Sequence, residues 1–371
     1  MTPYAPLSGS IESCSPGPAA RLHAAAAVGA LGLALGGCAA SGRHAEVQIP
    51  ADVRTALAIY RGEDGARASW SALMESIERA DVIIVGEEHD DAVGHRVQQA
   101  VVEDVLARWP DSALSMEMLD RRKQAVVDDY LADFIDLDAF YERAGTTRWR
   151  KISLDYLEGD INRKTFKKRV TKIGWPDWEN NYQPMIDAAK EAGAPVVAAN
   201  TPWRVYTTVA RKEGFERLDD VTTAQASLFE LPAEVPEGKY RERFWETIAD
   251  RAEGEEPPPP ADDAEAGPMG GTHSALTDEQ VLEMFRAQLV MDATMADSIA
   301  AASRAGAVKV VHLVGHFHCD FEGGLVQELR RRLPDARILV VTMLSQDGAE
   351  LGEDDIDRAD FVVHTGYREP Q

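Results

Sequence analysis

The stretch "VIIVGEEHDDAVGH", residues 82–95, joins an apolar run to a dense group of ionisable side chains. Its first four residues are β-branched and apolar, which is the pattern of a strand buried on both faces of a parallel α/β sheet. Gly86 would end this strand, and Glu87, Glu88 and His89 would follow at its carboxyl end, where open α/β sheets bind ligands. The alternative is a solvent-exposed acidic loop that leads into a helix, so the rest of the chain must decide.

Strands and helices alternate along most of the remaining sequence. Valine recurs at every fourth position from Val93 to Val105, as expected for the buried side of a helix after the first strand. Further strands are predicted at residues 112–118, 194–200, 308–315, 336–343 and 360–366. This alternation predicts an α/β fold with a largely parallel, doubly wound sheet flanked by helices.

The overall charge restricts the partners of the protein. The 371 residues include 39 Lys and Arg against 63 Asp and Glu, which gives a formal net charge of −24. Such a surface repels the phosphates of nucleic acids and of anionic lipids, so a dedicated nucleic-acid binder is excluded. An anionic ligand would need a local basic pocket.

The N-terminal segment reads as a targeting signal. Residues 22–38, "LHAAAAVGALGLALGGC", are apolar but too short to span a bilayer comfortably. They end in residues 35–38, "LGGC", which resemble a bacterial lipobox whose Cys38 thiol would carry diacylglycerol. An ordinary signal peptide cleaved near Ala40 is the alternative.

The lipobox interpretation defines the domain plan and the location. We expect a signal peptide at residues 1–37, a lipidated cysteine and tether at 38–50, and one α/β domain at 51–371. The protein would then be held in the cell envelope by its lipid anchor only. Its resemblance to known lipoproteins favours the outer membrane, facing the periplasm.

Two regions interrupt the strand–helix pattern. Residues 134–178 are rich in aromatic and basic side chains and could form a small helical cap. Residues 215–276 read as an insertion, because Pro257–Pro260 lie among acidic residues in a stretch with the composition of a disordered segment.

Polar side chains follow several of the predicted strands. The first strand is followed by Glu87 and His89, and the later strands by Glu117, Asn200, His316 and His318. If the strands are parallel, these groups share one edge of the sheet. We therefore predict a functional site at that edge.

The helix opened by "LTDEQ", residues 276–280, adds two polar groups. Thr277 and Gln280 form a capping-box pattern at its start. Gln288 and Asp292 lie on the same face as its apolar residues. A buried carboxylate must be paired or serve a ligand, so Asp292 is either part of the site or a structural anchor bonded to a loop.

Six elements together resemble the ChaN family, which comprises haem-binding, iron-associated bacterial lipoproteins of the wider Tiki and erythromycin-esterase-like superfamily. The elements are "VGEEHDDAVGH", "MEM", "NNYQPMIDAAK", "AAN", "AQLVMDATMADSIA" and "LVGHFH", in this order between residues 81 and 364. Polar positions of the family pattern fall on Glu87, His89, His95, Glu117 and His318, while Gln288 and Asp292 match its long-helix motif. His316 and Cys319 lie outside the pattern.

The resemblance implies that the cleft holds haem and that the protein serves uptake or handling of haem or iron. Tyr182 is the candidate axial ligand, with packing against Trp178 as the alternative, and His89 would support the bound haem. His95 is either a ligand or a solvated side chain. The haem propionates need cations, which Arg121, Arg122 and Lys123 could supply after the second strand.

The second hypothesis is a divalent-metal-dependent hydrolase of the protease or esterase type. Glu87, His89, Glu117 and His318 form a plausible mixed nitrogen and oxygen site for manganese or zinc. Glu87 or His89 would then act as the catalytic base. We favour the non-enzymatic haem or iron hypothesis, with an envelope transporter or receptor and a second copy of the chain as the partners to consider.

Overall fold

The structure is a computed structural model that describes residues 48–147, 151, 152, 155, 160, 165, 175, 177–202, 204–254 and 276–366. The predicted signal peptide, Cys38 and most of the tether lie outside the described residues. The same holds for much of the predicted cap and for residues 255–275, which contain the proline-rich acidic segment.

In the described part of the chain, eight strands form one mixed sheet. They are β1 (Ala58–Arg61), β2 (Arg67–Ala68), β3 (Val82–Glu87), β4 (Ala113–Asp120), β5 (Val196–Asn200), β6 (Val310–Gly315), β7 (Ile338–Leu344) and β8 (Phe361–His364). Their order is β2-β1-β8-β7-β3-β6-β4-β5. Strands β3 to β8 are parallel, as predicted, while β1 pairs antiparallel with β8 and β2. The sequence analysis missed β1 and β2 because they are too short to show a pattern.

Helices cover both faces of the sheet. They are α1 (Val53–Ala56), α2 (Trp70–Arg79), α3 (Ala92–Arg108), α4 (Gln124–Leu131), α5 (Leu137–Ala144), α6 (Trp178–Asn181), α7 (Gln183–Ala192), α8 (Tyr206–Glu213), α9 (Thr223–Ala226), α10 (Lys239–Gly254), α11 (Asp278–Arg304) and α12 (Gly324–Arg332). Short 3-10 helices follow two strands directly, at Arg121–Lys123 and at His316–His318. Within the described residues, no helix combines the length and the apolar character needed to cross a membrane.

The apolar run of β3 contributes to two hydrophobic clusters, one on each face of the sheet. Ile83 and Val85 pack in the cluster that contains α2, α3 and α7. Val82 and Ile84 face the opposite cluster, which is built with α11 and α12. Because alternate side chains of a strand point to opposite faces, burial on both sides requires an uninterrupted apolar run.

The neighbouring strands β3 and β6 define a switch point in the topology. The chain leaves β3 through α3 on one face of the sheet and leaves β6 through α12 on the other. The strand ends are aligned, with Glu87 opposite Gly315 in the parallel register. Such a point leaves a crevice outside the carboxyl ends of the strands, and ligands of doubly wound sheets bind there.

The region predicted as an insertion is folded as far as it is described. Tyr240, Phe244 and Ile248 of α10 pack against apolar residues at the start of α11. The capping box of α11 is present, with the Thr277 hydroxyl accepting from the Gln280 N–H at 3.3 Å. The described part of this region is therefore packed, because the apolar side chains of α10 lie against those of α11.

Candidate functional site

A cleft of about 960 Å³ opens at the carboxyl ends of the parallel strands. This volume lies within the range of small-molecule sites. Gln288 of α11 and several residues of α10 line it. The polar residues predicted at the strand ends line it as well: Glu87, Glu88, His89, Glu117, Asn200, His316 and His318. The parallel register brings these residues to one edge although they are far apart in sequence.

Glu87, the last residue of β3, is buried, accepts from two side chains and lies close to a third. Its Oε1 accepts from Nδ1 of His89 at 2.8 Å and from the Tyr182 hydroxyl at 2.9 Å. Its Oε2 lies 3.2 Å from Nδ1 of His95. Burial alone would raise the pKa of Glu87, but the hydrogen bonds from His89 and His95 outweigh it and lower the pKa. Glu87 is therefore an ionised anchor behind the cleft.

His89 presents its other ring nitrogen to the cleft. Its side chain is 44% exposed, and no described residue bonds Nε2. Burial lowers the pKa of His89, but the bond to Glu87 and the charges of Glu117 and Glu87 outweigh it, so the pKa lies above its usual value. Because the Glu87 carboxylate accepts from Nδ1, the neutral ring carries its hydrogen on Nδ1 and its lone pair on Nε2. This nitrogen can accept a proton or ligate a metal.

Gly315 allows the His89 ring to lie against the end of β6. A Cβ atom at position 315 would lie 2.9 Å from Cε1 of His89 and 3.2 Å from its Nε2. The ring also contacts Trp175 edge-on, with 4.9 Å between the ring centroids. Only a residue without a side chain leaves room for this packing.

His95 is buried, which excludes the solvated alternative. Its Nδ1 lies 3.2 Å from Oε1 of Gln98 as well as near Glu87, and its Nε2 lies 3.3 Å from the carbonyl oxygen of His89. Burial lowers the pKa of His95, but the bond to Glu87 outweighs it and the pKa is raised. His95 thus stabilises the Glu87 carboxylate rather than lining the cleft.

Tyr182, predicted from the sequence as an axial ligand, lies behind the cleft. The side chain is fully buried, and its hydroxyl donates to Glu87. Burial and the nearby Glu87 charge raise its pKa well above the usual value, so a tyrosinate is disfavoured. Its ring packs against Trp178 with 5.3 Å between the centroids, in agreement with the alternative considered from the sequence.

His318 is an imidazolium between two carboxylates. Its Nδ1 lies 2.6 Å from Oδ1 of Asp292, and its Nε2 lies 3.5 Å from Oε1 of Glu117. Burial lowers the pKa of His318, but the charges of Glu117 and Asp292 outweigh it and raise the pKa to about 10. Glu117 shows the converse: burial raises its pKa, but the His318 charge outweighs it and lowers the pKa to about 2.

The α11 residue Asp292 supports this ion pair, and Gln288 lies beside it. The Gln288 amide nitrogen lies 3.0 Å from Nδ1 of His318, but both nitrogens carry hydrogen when His318 is an imidazolium, so this contact is not a hydrogen bond. Asp292 also accepts from the Tyr240 hydroxyl at 2.6 Å, and burial raises the pKa of Asp292. Asp292 is therefore a structural anchor, bonded to side chains rather than to a loop backbone.

The predicted metal ligands reach one edge without forming a metal site. Among the described residues, no group of three or more His, Cys, Asp or Glu side chains is arranged to hold a metal ion. His318 has both ring nitrogens engaged by carboxylates, so it lacks a free lone pair. The donor chemistry of the described residues does not favour manganese or zinc bound by Glu87, His89, Glu117 and His318 together.

The basic residues after β4 have different surroundings. Arg121 lies in an ion pair with Asp297 of α11 at 2.7 Å, and Arg122 pairs with Asp120 at 2.9 Å. Neither lines the cleft, whereas Lys123 does. Arg204 also lines the cleft and was missed, although the strand-end rule applied to "TPWR" after β5 would have found it.

His316 and Cys319, whose roles the sequence left open, differ in exposure. His316 lines the cleft, and its Nδ1 lies 2.7 Å from Oδ2 of Asp320. Asp320 is buried and forms an ion pair with Arg358. Cys319 is buried, and burial raises the pKa of its thiol well above the usual value. It is therefore a packing residue.

Known proteins resemble this chain at the levels of family and fold. A family model described as haem-binding uptake, Tiki superfamily, ChaN matches residues 73–329. The solved structure "Cofacial heme binding to ChaN of Campylobacter jejuni" is 16% identical, covers 86% of this chain and 100% of that chain, and has a TM-score of 0.55. At this identity the likeness shows the fold.

More remote structures share less of the architecture. The type III effector HopBA1 is 11% identical over 84% of this chain and 97% of that chain, with a TM-score of 0.38. A mutant of the erythromycin esterase EreC in its open conformation is 13% identical over 79% of this chain and 81% of that chain, with a TM-score of 0.36. No curated protein matches the sequence.

Proposed function

Because the chain belongs to the ChaN family of haem-binding uptake proteins in the Tiki superfamily, we propose that it binds haem in the cleft at the carboxyl ends of β3, β4, β5 and β6. One observation carries the proposal at residue level. The pair Glu87 and His89 presents an imidazole nitrogen, oriented from behind, to a cleft of about 960 Å³.

The residues of the cleft fit a large planar ligand of mixed polarity. Its walls include the apolar side chains Met118, Trp175, Trp178, Phe244, Met291 and Phe317. The buried carboxylates are compensated, since Glu87 is bonded to His89 and His95, and Glu117 faces the His318 imidazolium. The clustered acids therefore oppose a porphyrin dianion less than uncompensated carboxylates would.

His89 is the group that would hold the haem. Bound haem would supply an iron, for which an imidazole is an ordinary ligand. Glu87 accepts from Nδ1, orients the ring and increases the basicity of Nε2. Tyr182 and His95 keep Glu87 ionised and in place. In this proposal both act through Glu87.

The setting of this activity in the cell is proposed from the sequence alone. Lipidation at Cys38 would hold the protein at the outer membrane, facing the periplasm. Haem or iron would pass between it and an envelope transporter or receptor. A second copy of the chain is a further partner to test by measuring the oligomeric state.

Titration of the purified full chain with haemin tests the proposal. We expect a saturable Soret absorption band. His89→Ala should shift this band and weaken binding at least about tenfold, because an axial bond is lost. Tyr182→Phe should leave the band nearly unchanged, because its hydroxyl is bonded to Glu87 behind the cleft. Saturable binding that depends on Tyr182 and not on His89 would contradict the assignment.

A second candidate is a hydrolase in which His89 acts as general base. The same geometry favours it, since a carboxylate at Nδ1 prepares Nε2 to accept a proton from water. Hydrolysis of an activated ester that His89→Ala abolishes, together with the absence of saturable haemin binding, would favour this function over haem binding.

A further inference from the structure

The cleft has an acidic end and a basic end. Glu87 is the last residue of β3, Glu88 and Asp90 follow it, and all three line the cleft on the β3 side. Lys123 and Arg204 are the Lys and Arg side chains among the described lining residues, and both follow the outer strands β4 and β5. In a chain with a net charge of −24, this separation means that an anionic group of a ligand is attracted to one end of the cleft and repelled from the other.

The strand register places the two cations at the same end. Asp120 of β4 is the parallel partner of Asn200 in β5. Lys123 comes three residues after the first strand end, and Arg204 four residues after the second. Lys123 donates to the carbonyl oxygen of Arg143 at 2.7 Å, which leaves further ammonium donors.

The carboxylate at this end of the cleft is already paired. Asp120 accepts from the backbone N–H and from Nε of Arg122, at 3.0 and 2.9 Å. It also accepts from Nη2 of Arg122 at 2.9 Å. Asp120 is therefore engaged by Arg122.

A buried hydroxyl at the same end lacks a partner. Thr201 is fully buried and lines the cleft, yet its Oγ1 bonds to none of the described residues. Asn200 accepts from the Thr201 backbone N–H at 2.8 Å through Oδ1, which leaves the amide N–H groups as donors. Buried polar groups are normally satisfied, so an unsatisfied hydroxyl at a cleft points to a ligand.

The backbone of Arg204 supports the same interpretation. Its φ is 70°, in the left-handed region that residues with a side chain adopt at a cost in free energy. Its N–H donates to Oγ1 of Thr207 at 3.1 Å, just ahead of the first turns of α8. Strain of this kind is concentrated at ligand sites.

We propose that Lys123, Asn200, Thr201 and Arg204 form a carboxylate-binding subsite that takes the propionates of the haem. Two cations, an amide and a hydroxyl are donors that match carboxylate oxygens. The haem would then lie with its propionates toward β4 and β5 and its iron toward His89. This inference rests on the proposed function and adds the orientation of the ligand.

A comparison of haemin with its dimethyl ester tests the subsite directly. Both ligands are titrated into the full chain, with quenching of tryptophan fluorescence and the Soret band as readouts. The wild type should bind haemin about tenfold or more tightly than the diester, because charge-assisted bonds are lost on esterification. The Lys123→Gln and Arg204→Gln double variant should reduce this preference to near unity by weakening haemin binding alone.

Two further variants make the result specific. Thr201→Val keeps the volume of the side chain and should lower only the affinity for haemin. Arg337→Gln is the matched control, because Arg337 is paired with Asp81 and neither residue lines the cleft. A double variant that folds, as judged by circular dichroism, and retains the wild-type preference would overturn the subsite while leaving haem binding intact. If the wild type binds neither ligand, the proposed function itself fails.

Discussion

At the scale of the residue, buried carboxylates of the site are matched by imidazoles. Glu87 is bonded to His89 and His95, while Glu117 and Asp292 enclose His318. A lone buried carboxylate is costly, and removing one partner of such a pair costs more than the pair contributes. The histidines therefore have unequal roles: His89 presents a free nitrogen, whereas His318 holds the neighbouring acids.

The His318 ion pair predicts a pH dependence of stability. The pKa of His318 is about 10 in the folded protein, against an ordinary value of 6.5. Its contribution to the free energy of unfolding is therefore complete below pH 6.5 and is lost as the pH rises toward 10. Glu117 acts in the opposite sense. The pKa of Glu117 is about 2 in the folded protein, against an ordinary value of 4.5. Its contribution to the free energy of unfolding is therefore lost as the pH falls from 4.5 toward 2.

Chemical denaturation between pH 7 and 9 measures the first of these effects. We expect the free energy of unfolding to fall by about 1.4 kcal/mol per pH unit through His318. His318→Gln should be less stable at pH 7 and should lose this slope, whereas His89→Gln should retain it. Equal slopes in the wild type and in His318→Gln would show that the imidazolium does not form.

At the scale of the element, the ends of β3 and β6 interlock through two glycines. The His89 ring lies against Gly315, and the backbone of His316 lies against Gly86. A Cβ atom at position 86 would lie 2.7 Å from Sγ of Cys319 and 2.9 Å from Cα of His316. The two strand ends are thus close enough for their loops to share one cleft.

Gly86→Ala tests this close packing. We expect it to lower the free energy of unfolding by about 1–3 kcal/mol, because a methyl group overfills the contact. Cys319→Ala in the same background should restore only part of the loss, since the His316 backbone remains in the way. Cys319→Ala alone provides the control for the effect of the lost sulfur. A Gly86→Ala variant as stable as the wild type would mean that the strand ends are farther apart.

At the scale of the whole molecule, the functional site lies on one sheet with helices on both faces. The N-terminal segment is proposed to determine where in the cell the protein is held. The helices on the two faces leave β3 and β6 in opposite directions and open the cleft between them. The surface has a net charge of −24, which does not favour adsorption to anionic lipid. Membrane attachment is therefore proposed to depend on the lipid at Cys38.

Fractionation of cells that express the full chain tests the anchor. The wild type should sediment with membranes and incorporate a labelled fatty acid. Cys38→Ser should appear in the soluble periplasmic fraction, because the thiol that carries diacylglycerol is absent. Cys319→Ser serves as the control, since it removes a buried thiol without touching the signal. A wild type without acyl label and a membrane-bound Cys38→Ser would disprove the lipobox.

The sequence by itself determined the sheet, the edge that carries the site and the family. Apolar runs such as that at residues 82–85 identify buried parallel strands, and the parallel order brings Glu87, Glu117 and His318 together. These features follow from local periodicity and from the fixed direction of parallel strands. Arg204, in the loop after β5, follows the same rule.

The roles of the individual polar groups were decided only by the tertiary structure. A sequence shows that Tyr182 and Arg121 can bind a ligand, but each is held by a partner far away in the chain: Glu87 for the tyrosine and Asp297 for the arginine. Hydrogen bonding and burial depend on distances of a few ångströms between segments that are remote along the chain. Which imidazole keeps a free nitrogen is therefore a property of the packed molecule and not of any one motif.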